Sequence, residues 1–262
     1  MVTKKFWLGI SVLVMVFATA VSGCDNGLIN DDSGNYGNNN SIGSTGGSGG
    51  KDITVVCLGD SLTAGHGATK KGVDDPTNSY PAYLQKKVSA NVTVVNKGVT
   101  SDTTKKGLDR VKRDVLSYDP DVVIILLGAN DFILGDDLRP ISVSIPISLH
   151  IPGSTHFDTT KGNLKEIIDE INKGKENRKI FLVKFYSKEM ERKLPFVLLP
   201  YYINGYNGMF TELAKLPNVT LIGDIWTGIW GVPEYMSDNI HPNAEGYKIM
   251  ADHIYKVVKS HL

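Results

Sequence analysis

Residues 53–65 read I-T-V-V-C-L-G-D-S-L-T-A-G. The run 53–58 is apolar and rich in β-branched side chains, and Gly59-Asp60 ends it abruptly. That is the pattern of a strand buried on both faces that opens into a loop at its C-terminal end. Similar runs recur at 92–96, 121–127, 179–185 and 219–222, separated by stretches with helical periodicity. Leu108, Val111, Val115 and Tyr118 share one face, as do Leu164, Ile167, Ile168 and Ile171. Tyr247, Met250, Ala251, Ile254 and Val258 form the stripe of a last helix. Strands alternating with helices predict a three-layer α/β/α sandwich around a mostly parallel five-stranded sheet.

Ligands of such sheets bind beyond the C-terminal ends of the strands, so the loops that follow each strand are the places to look for chemistry. The first carries Ser61, the second N-K-G-V-T-S-D-T-T (96–104), the third G-A-N-D (128–131). Further on, S-D-N-I-H-P-N (237–243) precedes the last helix and sets Asp238 three residues before His241. Each alone has an ordinary explanation: Ser61 as a helix cap, Asn130 as a turn residue, Asp238 and His241 as the polar start of a helix. A phosphate-binding loop is excluded, because G-x-x-x-x-G-K-[ST] has no match and Gly65-His66-Gly67 lacks the third glycine of a dinucleotide fingerprint.

Taken together, G-D-S-L, G-A-N-D and D-x-x-H resemble the SGNH, or GDSL, hydrolases, and more narrowly the bacterial arylesterase and thioesterase–lysophospholipase branch. The resemblance spans about 53–262 and implies the flavodoxin-like fold of that family. It implies Ser61 as nucleophile, His241 as general base and Asp238 as the carboxylate that orients the imidazole. It implies an oxyanion hole built from the Ser61 and Ser101 backbone N–H groups and the Asn130 side chain. At 101 the chain departs from the family, which usually has glycine there. The activity implied is hydrolysis of acyl esters (arylester, lysophospholipid or thioester) through an acyl-serine. Carbohydrate O-acetyl ester hydrolysis is the alternative, and a non-catalytic glycan- or lipid-binding envelope protein the reading from another class.

Composition bounds the rest. Lys+Arg and Asp+Glu both total 28, so the formal net charge is +0 and no nucleic-acid partner is expected. The histidines other than His241 (His66, His150, His156, His253, His261) form no ligand-spaced pair, so neither metal nor cofactor is expected, and His66 reads as a surface-loop residue. Cys57 reads as a small buried apolar side chain. Lys4 and Lys5 before the apolar run 6–21 and V-S-G-C resemble a lipoprotein export signal, which implies 1–23 removed and Cys24 lipidated, with a short uncleaved membrane anchor as the alternative. Residues 24–50, dominated by Gly, Asn and Ser, read as a flexible tether, and 51–262 as the hydrolase domain, anchored to an envelope membrane.

Two features point to substrate. Residues 141–152, I-S-V-S-I-P-I-S-L-H-I-P, alternate apolar and polar at period two within an insertion at about 133–160. Ile141 and Ile145 on its apolar face are candidates to border an acyl pocket. Trp226 and Trp230, just before the Asp-His loop, are candidates to line it.

Overall fold

In a computed structural model the chain is described over residues 51–134, 155–175, 177–186 and 199–262. Asp52–Leu262 forms one compact unit. The signal, Cys24, the tether, and Ile141 and Ile145 all lie outside the described residues.

Strands β1 (Ile53–Gly59), β2 (Val92–Gly98), β3 (Val122–Leu126), β4 (Lys179–Val183) and β5 (Val219–Ile222) form a single parallel sheet in the order β2-β1-β3-β4-β5. Their apolar runs are explained by burial: Val55, Val56, Cys57, Leu58 and the whole of β3 have essentially no solvent exposure. Burial also pushes the Cys57 thiol up to about 12, with a hydrogen bond from Tyr80 pulling the other way, so it stays protonated and unreactive.

The helices are α1 (Ser61–Ala64), α2 (Tyr80–Gln85), α3 (Thr104–Asp114), α4 (Ala129–Leu134), α5 (Thr155–Asn172), α6 (Leu199–Leu213) and α7 (Ala244–Val258). Helices α3, α5 and α6 pack side by side, and α2 packs on α7. With the right-handed crossovers that parallel strands require, the strand order puts these two groups on opposite faces of the sheet. The stripe Leu164, Ile167, Ile168 and Ile171 is fully buried, as is that of α7.

One expectation changes. Helix α3 ends at Asp114, and Tyr118 lies on a following 3₁₀ turn, 41% exposed beneath the Lys97 ammonium. Helix α4 runs to Leu134 and α5 starts at Thr155, and the arm expected at 141–152 lies outside the described residues. Helix α6 carries its own signal in the sequence, since Tyr206, Met209, Phe210 and Leu213 fall at helical spacing and are buried.

The strand order reverses at β1/β3, the topological switch point where such sheets open a crevice. Register makes the mouth level. Gly59 at the end of β1 pairs with Gly98 of β2 and Leu126 of β3. Gly98 lets β2 press on the turn that follows β1, because a Cβ there would lie 2.1 Å from the Ala64 nitrogen and 2.5 Å from the Thr63 carbonyl carbon. Backbone on both sides cannot yield, so Gly98→Ala is expected to lower unfolding stability by about 2–3 kcal/mol. Chemical denaturation monitored by circular dichroism checks this, and an unchanged midpoint would contradict it.

Candidate active site

Ser61 begins α1 one residue after the buried Asp60, whose carboxylate caps the helix by accepting from the Leu62 N–H at 3.0 Å. At the first helical position the Ser61 N–H has no intrahelical acceptor. Burial pushes the Asp60 carboxyl up to about 7, while the Leu62 N–H and nearby His241 pull it down.

The loop after β5 supplies the facing groups. The Asp238 carboxylate accepts from the Ile240 N–H at 2.8 Å and the His241 N–H at 2.7 Å, which curls the loop back on itself. Backbone N–H groups of Ser237 and Asp238 in turn donate to the His241 carbonyl. The curl sets His241 Nδ1 2.9 Å from Asp238 Oδ2, and Nε2 3.1 Å from the Ser61 Oγ, 180 positions away in sequence. Asn243 then caps α7 by accepting from the Gly246 N–H. Burial raises the Asp238 pKa, but the His241 hydrogen bond and charge and the two backbone donors outweigh it. The net result is a carboxyl held well below the usual range, ionised at any working pH.

The remaining loops meet beneath Ser61. Val99 N–H donates to the Gly59 carbonyl at 3.0 Å, and the Asn130 side chain donates to the Asp102 carbonyl at 2.9 Å. Arg110 is buried between them. It donates to the Gly59 and Lys97 carbonyls at 2.9 and 3.0 Å and to the Asp102 carboxylate at 2.6 Å. On the far side the Asp131 carboxylate caps α3, accepting from the Thr104 N–H and hydroxyl.

Ser101 stands where this arrangement wants glycine. Its φ is +66°, in the left-handed region, and its N–H is in no hydrogen bond among the described residues. The neighbours on both sides are held, Thr100 by Asp74 and Asp102 by Arg110. An L-residue there carries about 1–2 kcal/mol of strain.

Residues 57–249 match the GDSL-like lipase/acylhydrolase family. The chain belongs to that family. As a GDSL-type hydrolase it is 26% identical over 204 residues to the thioesterase 1/protease 1/lysophospholipase L1 of Escherichia coli K12, covering 78% of this chain and 82% of that protein. It is 26% identical over 216 residues to an arylesterase of Vibrio mimicus, covering 79% and 89%. The crystal structure of a lipase/acylhydrolase from Enterococcus faecalis superposes with a TM-score of 0.56 at 26% identity, covering 80% of this chain and 97% of that one.

Two sequence expectations are corrected. Trp226 does not line the site: it is fully buried, its Nε1 donates to the Phe185 carbonyl at 2.7 Å, and its ring packs edge-on to Phe185. Trp230 is partly buried and packs edge-on against Trp226. The spacing of the two tryptophans suited either a core or a pocket, and packing chose the core for Trp226. His66 is not a free surface histidine either, since its side chain is 17% exposed, bonded to Asp74 and set with its ring tilted against that of His241. Arg110 carried no signal in sequence, because a buried arginine reads like any helical one.

The strain at Ser101 makes a prediction. Ser101→Gly should keep turnover within about threefold and stability within about 1 kcal/mol, since relief of strain and the entropy of glycine offset. Ser101→Val puts a β-branched side chain at positive φ and should lower both stability and turnover. Thermal melts beside steady-state kinetics decide; a valine variant equal to wild type in both would contradict the strained geometry.

Proposed function

We propose that this GDSL-type hydrolase is a serine esterase that cleaves acyl esters through an acyl-Ser61 intermediate. The observation that carries the proposal is the unbroken chain from Ser61 Oγ to His241 Nε2 to Asp238, at 3.1 and 2.9 Å. Asp238 accepts the Nδ1 proton of His241, so Nε2 is the acceptor and can take the Ser61 proton as Oγ attacks the ester carbonyl. The tetrahedral oxyanion is received by the Ser61 and Ser101 N–H groups and by the Asn130 N–H not engaged with Asp102. His241 then returns its proton to the departing alcohol or thiol, leaving the acyl group on Ser61. Water, deprotonated by the same Nε2, attacks that acyl-serine, and collapse of the second intermediate restores the serine. Asp238, held ionised, stabilises the imidazolium in both halves.

The thioesterase/lysophospholipase and the arylesterase, each matched over most of this chain, support an acyl-ester or acyl-thioester substrate, while an acetylxylan esterase of Xylanibacter ruminicola, 36% identical over 85 residues (30% of this chain, 17% of that protein), supports the O-acetyl alternative. Export and anchoring through Cys24 rest on Lys4, Lys5, the apolar run and V-S-G-C alone. They would place the site beside a membrane, where lysophospholipids are found.

The test is hydrolysis of acetyl, butyryl, octanoyl and palmitoyl nitrophenyl esters by the detergent-solubilised full chain and its Ser61→Ala variant. Removal of the nucleophile should lower turnover by about three orders of magnitude or more. Octanoyl or palmitoyl preference is expected for a lipid substrate, and activity confined to acetyl would favour the O-acetyl alternative. Activity unchanged in the variant would overturn the proposal.

A further inference from the structure

The nucleophile's helix is followed by a narrow loop, residues 65–75, whose two limbs pair. His66 and Asp74 form an antiparallel bridge, the Gly67 N–H donates to the Val73 carbonyl at 2.9 Å, and the Asp75 N–H donates to the Gly65 carbonyl at 3.1 Å. The loop is fixed on the side of the catalytic histidine. The Tyr247 hydroxyl donates to the His66 carbonyl at 2.9 Å and the Ala244 N–H to the Ala68 carbonyl at 2.7 Å, tying both residues to α7. At Gly67, with φ +79°, a Cβ would lie 2.9 Å from the Ser237 Oγ and 3.4 Å from the His241 Cβ, so backbone presses directly on the Asp-His loop. The His66 ring comes to rest 4.6 Å from that of His241, tilted by 58°.

On its other limb the loop reaches the oxyanion side. A single oxygen, Asp74 Oδ1, lies 2.6 Å from His66 Nδ1 and accepts from the Thr100 hydroxyl at 2.7 Å. Thr100 is bonded directly to Ser101, the residue held at positive φ. One carboxylate thus connects the ring beside the general base to the residue that precedes an oxyanion donor.

We infer that Asp74, with His66 and Thr100, is a positioning clamp that fixes the spacing between the His241 imidazole and the Ser101 N–H. The inference rests on the acyl-serine reading of the site. None of the three touches the reacting atoms. With its Nδ1 proton bound to Asp74, the His66 ring is held in one orientation and limits sideways movement of His241 as the proton passes back and forth. The Thr100 bond keeps Ser101 from relaxing out of the left-handed region. Both demands are made of the transition state, in which base and oxyanion donors act together, and hardly at all of substrate binding.

The experiment is steady-state kinetics on the best nitrophenyl ester with the full chain and Asp74→Ala, Asp74→Asn, Thr100→Val, Thr100→Ser and the Asp74→Ala/Thr100→Val double variant. Loss of either end should lower kcat about five- to tenfold with KM within about twofold, because a small misplacement of catalytic groups acts on the chemical step. Asparagine keeps an acceptor and serine keeps a hydroxyl, so both conservative variants should recover at least about half of wild-type kcat. The double variant should be no worse than about twice the more damaging single one, since the two residues share one bond. Equal losses in Thr100→Val and Thr100→Ser, losses that multiply in the double variant, or kcat within twofold of wild type throughout would overturn the clamp. Should Asp74→Ala fail to fold, the near-isosteric Thr100 pair decides alone. Turnover that survives Ser61→Ala overturns the catalytic reading and the clamp with it. Turnover lost in Ser61→Ala but untouched in the Thr100 and Asp74 variants overturns the clamp only.

Discussion

A guanidinium lies under this site. Arg110, buried on α3, bonds the last carbonyl of β1, the Lys97 carbonyl near the end of β2 and the carboxylate of Asp102. Its planar fork satisfies acceptors in fixed directions, which a lysine could not do. The Gly59 carbonyl, which also accepts from the Val99 N–H, has a second lone pair, and buried carbonyls at strand ends are stabilised by a further donor. Arg110 supplies that donor while fixing the loop that carries Ser101 through Asp102, and Asn130 binds the same loop from the β3 side. The level mouth of the crevice and the mutual placement of its loops both follow from this shared support.

Charge within the site is divided by environment. Asp60 and Asp238 flank the Ser61–His241 pair, yet their carboxyls move in opposite directions. Burial dominates at Asp60 and raises it, whereas at Asp238 burial is outweighed by imidazole and backbone donors. The carboxylate that must face an imidazolium is therefore the ionised one. Asp74 adds a third, more exposed carboxylate at the edge, where its role is geometric, bridging two loops that the sheet alone leaves independent.

Much of the fold was legible because β1, β3 and β4 are buried apolar runs rich in β-branched residues and the helical stripes of α5 and α7 are strict. Ser61 and Asn130 were legible because each sits in a short motif just after a strand, and Asp238 and His241 because theirs leads into the last helix. The contacts that organise them were not. His66 meets Asp74 and His241 only after the 65–75 loop folds back, and Arg110 earns its role from acceptors 13 and 51 residues away. Single-residue patterns carry no such distances. Trp226 shows the converse, an aromatic near a motif whose indole N–H finds its acceptor on Phe185 in the core. At Ser101 the sequence flagged a departure from glycine, and only the backbone angle shows that the glycine-like conformation is retained.

The central claim is that Ser61 is a nucleophile activated by His241 and Asp238. Its most direct test is the intact mass of the full chain after treatment with a long-chain fluorophosphonate, followed by peptide mapping. A single phosphonyl adduct on Ser61, formed much more slowly in His241→Ala, is the predicted result. No adduct, or one at another residue with Ser61 unmodified, would contradict the account.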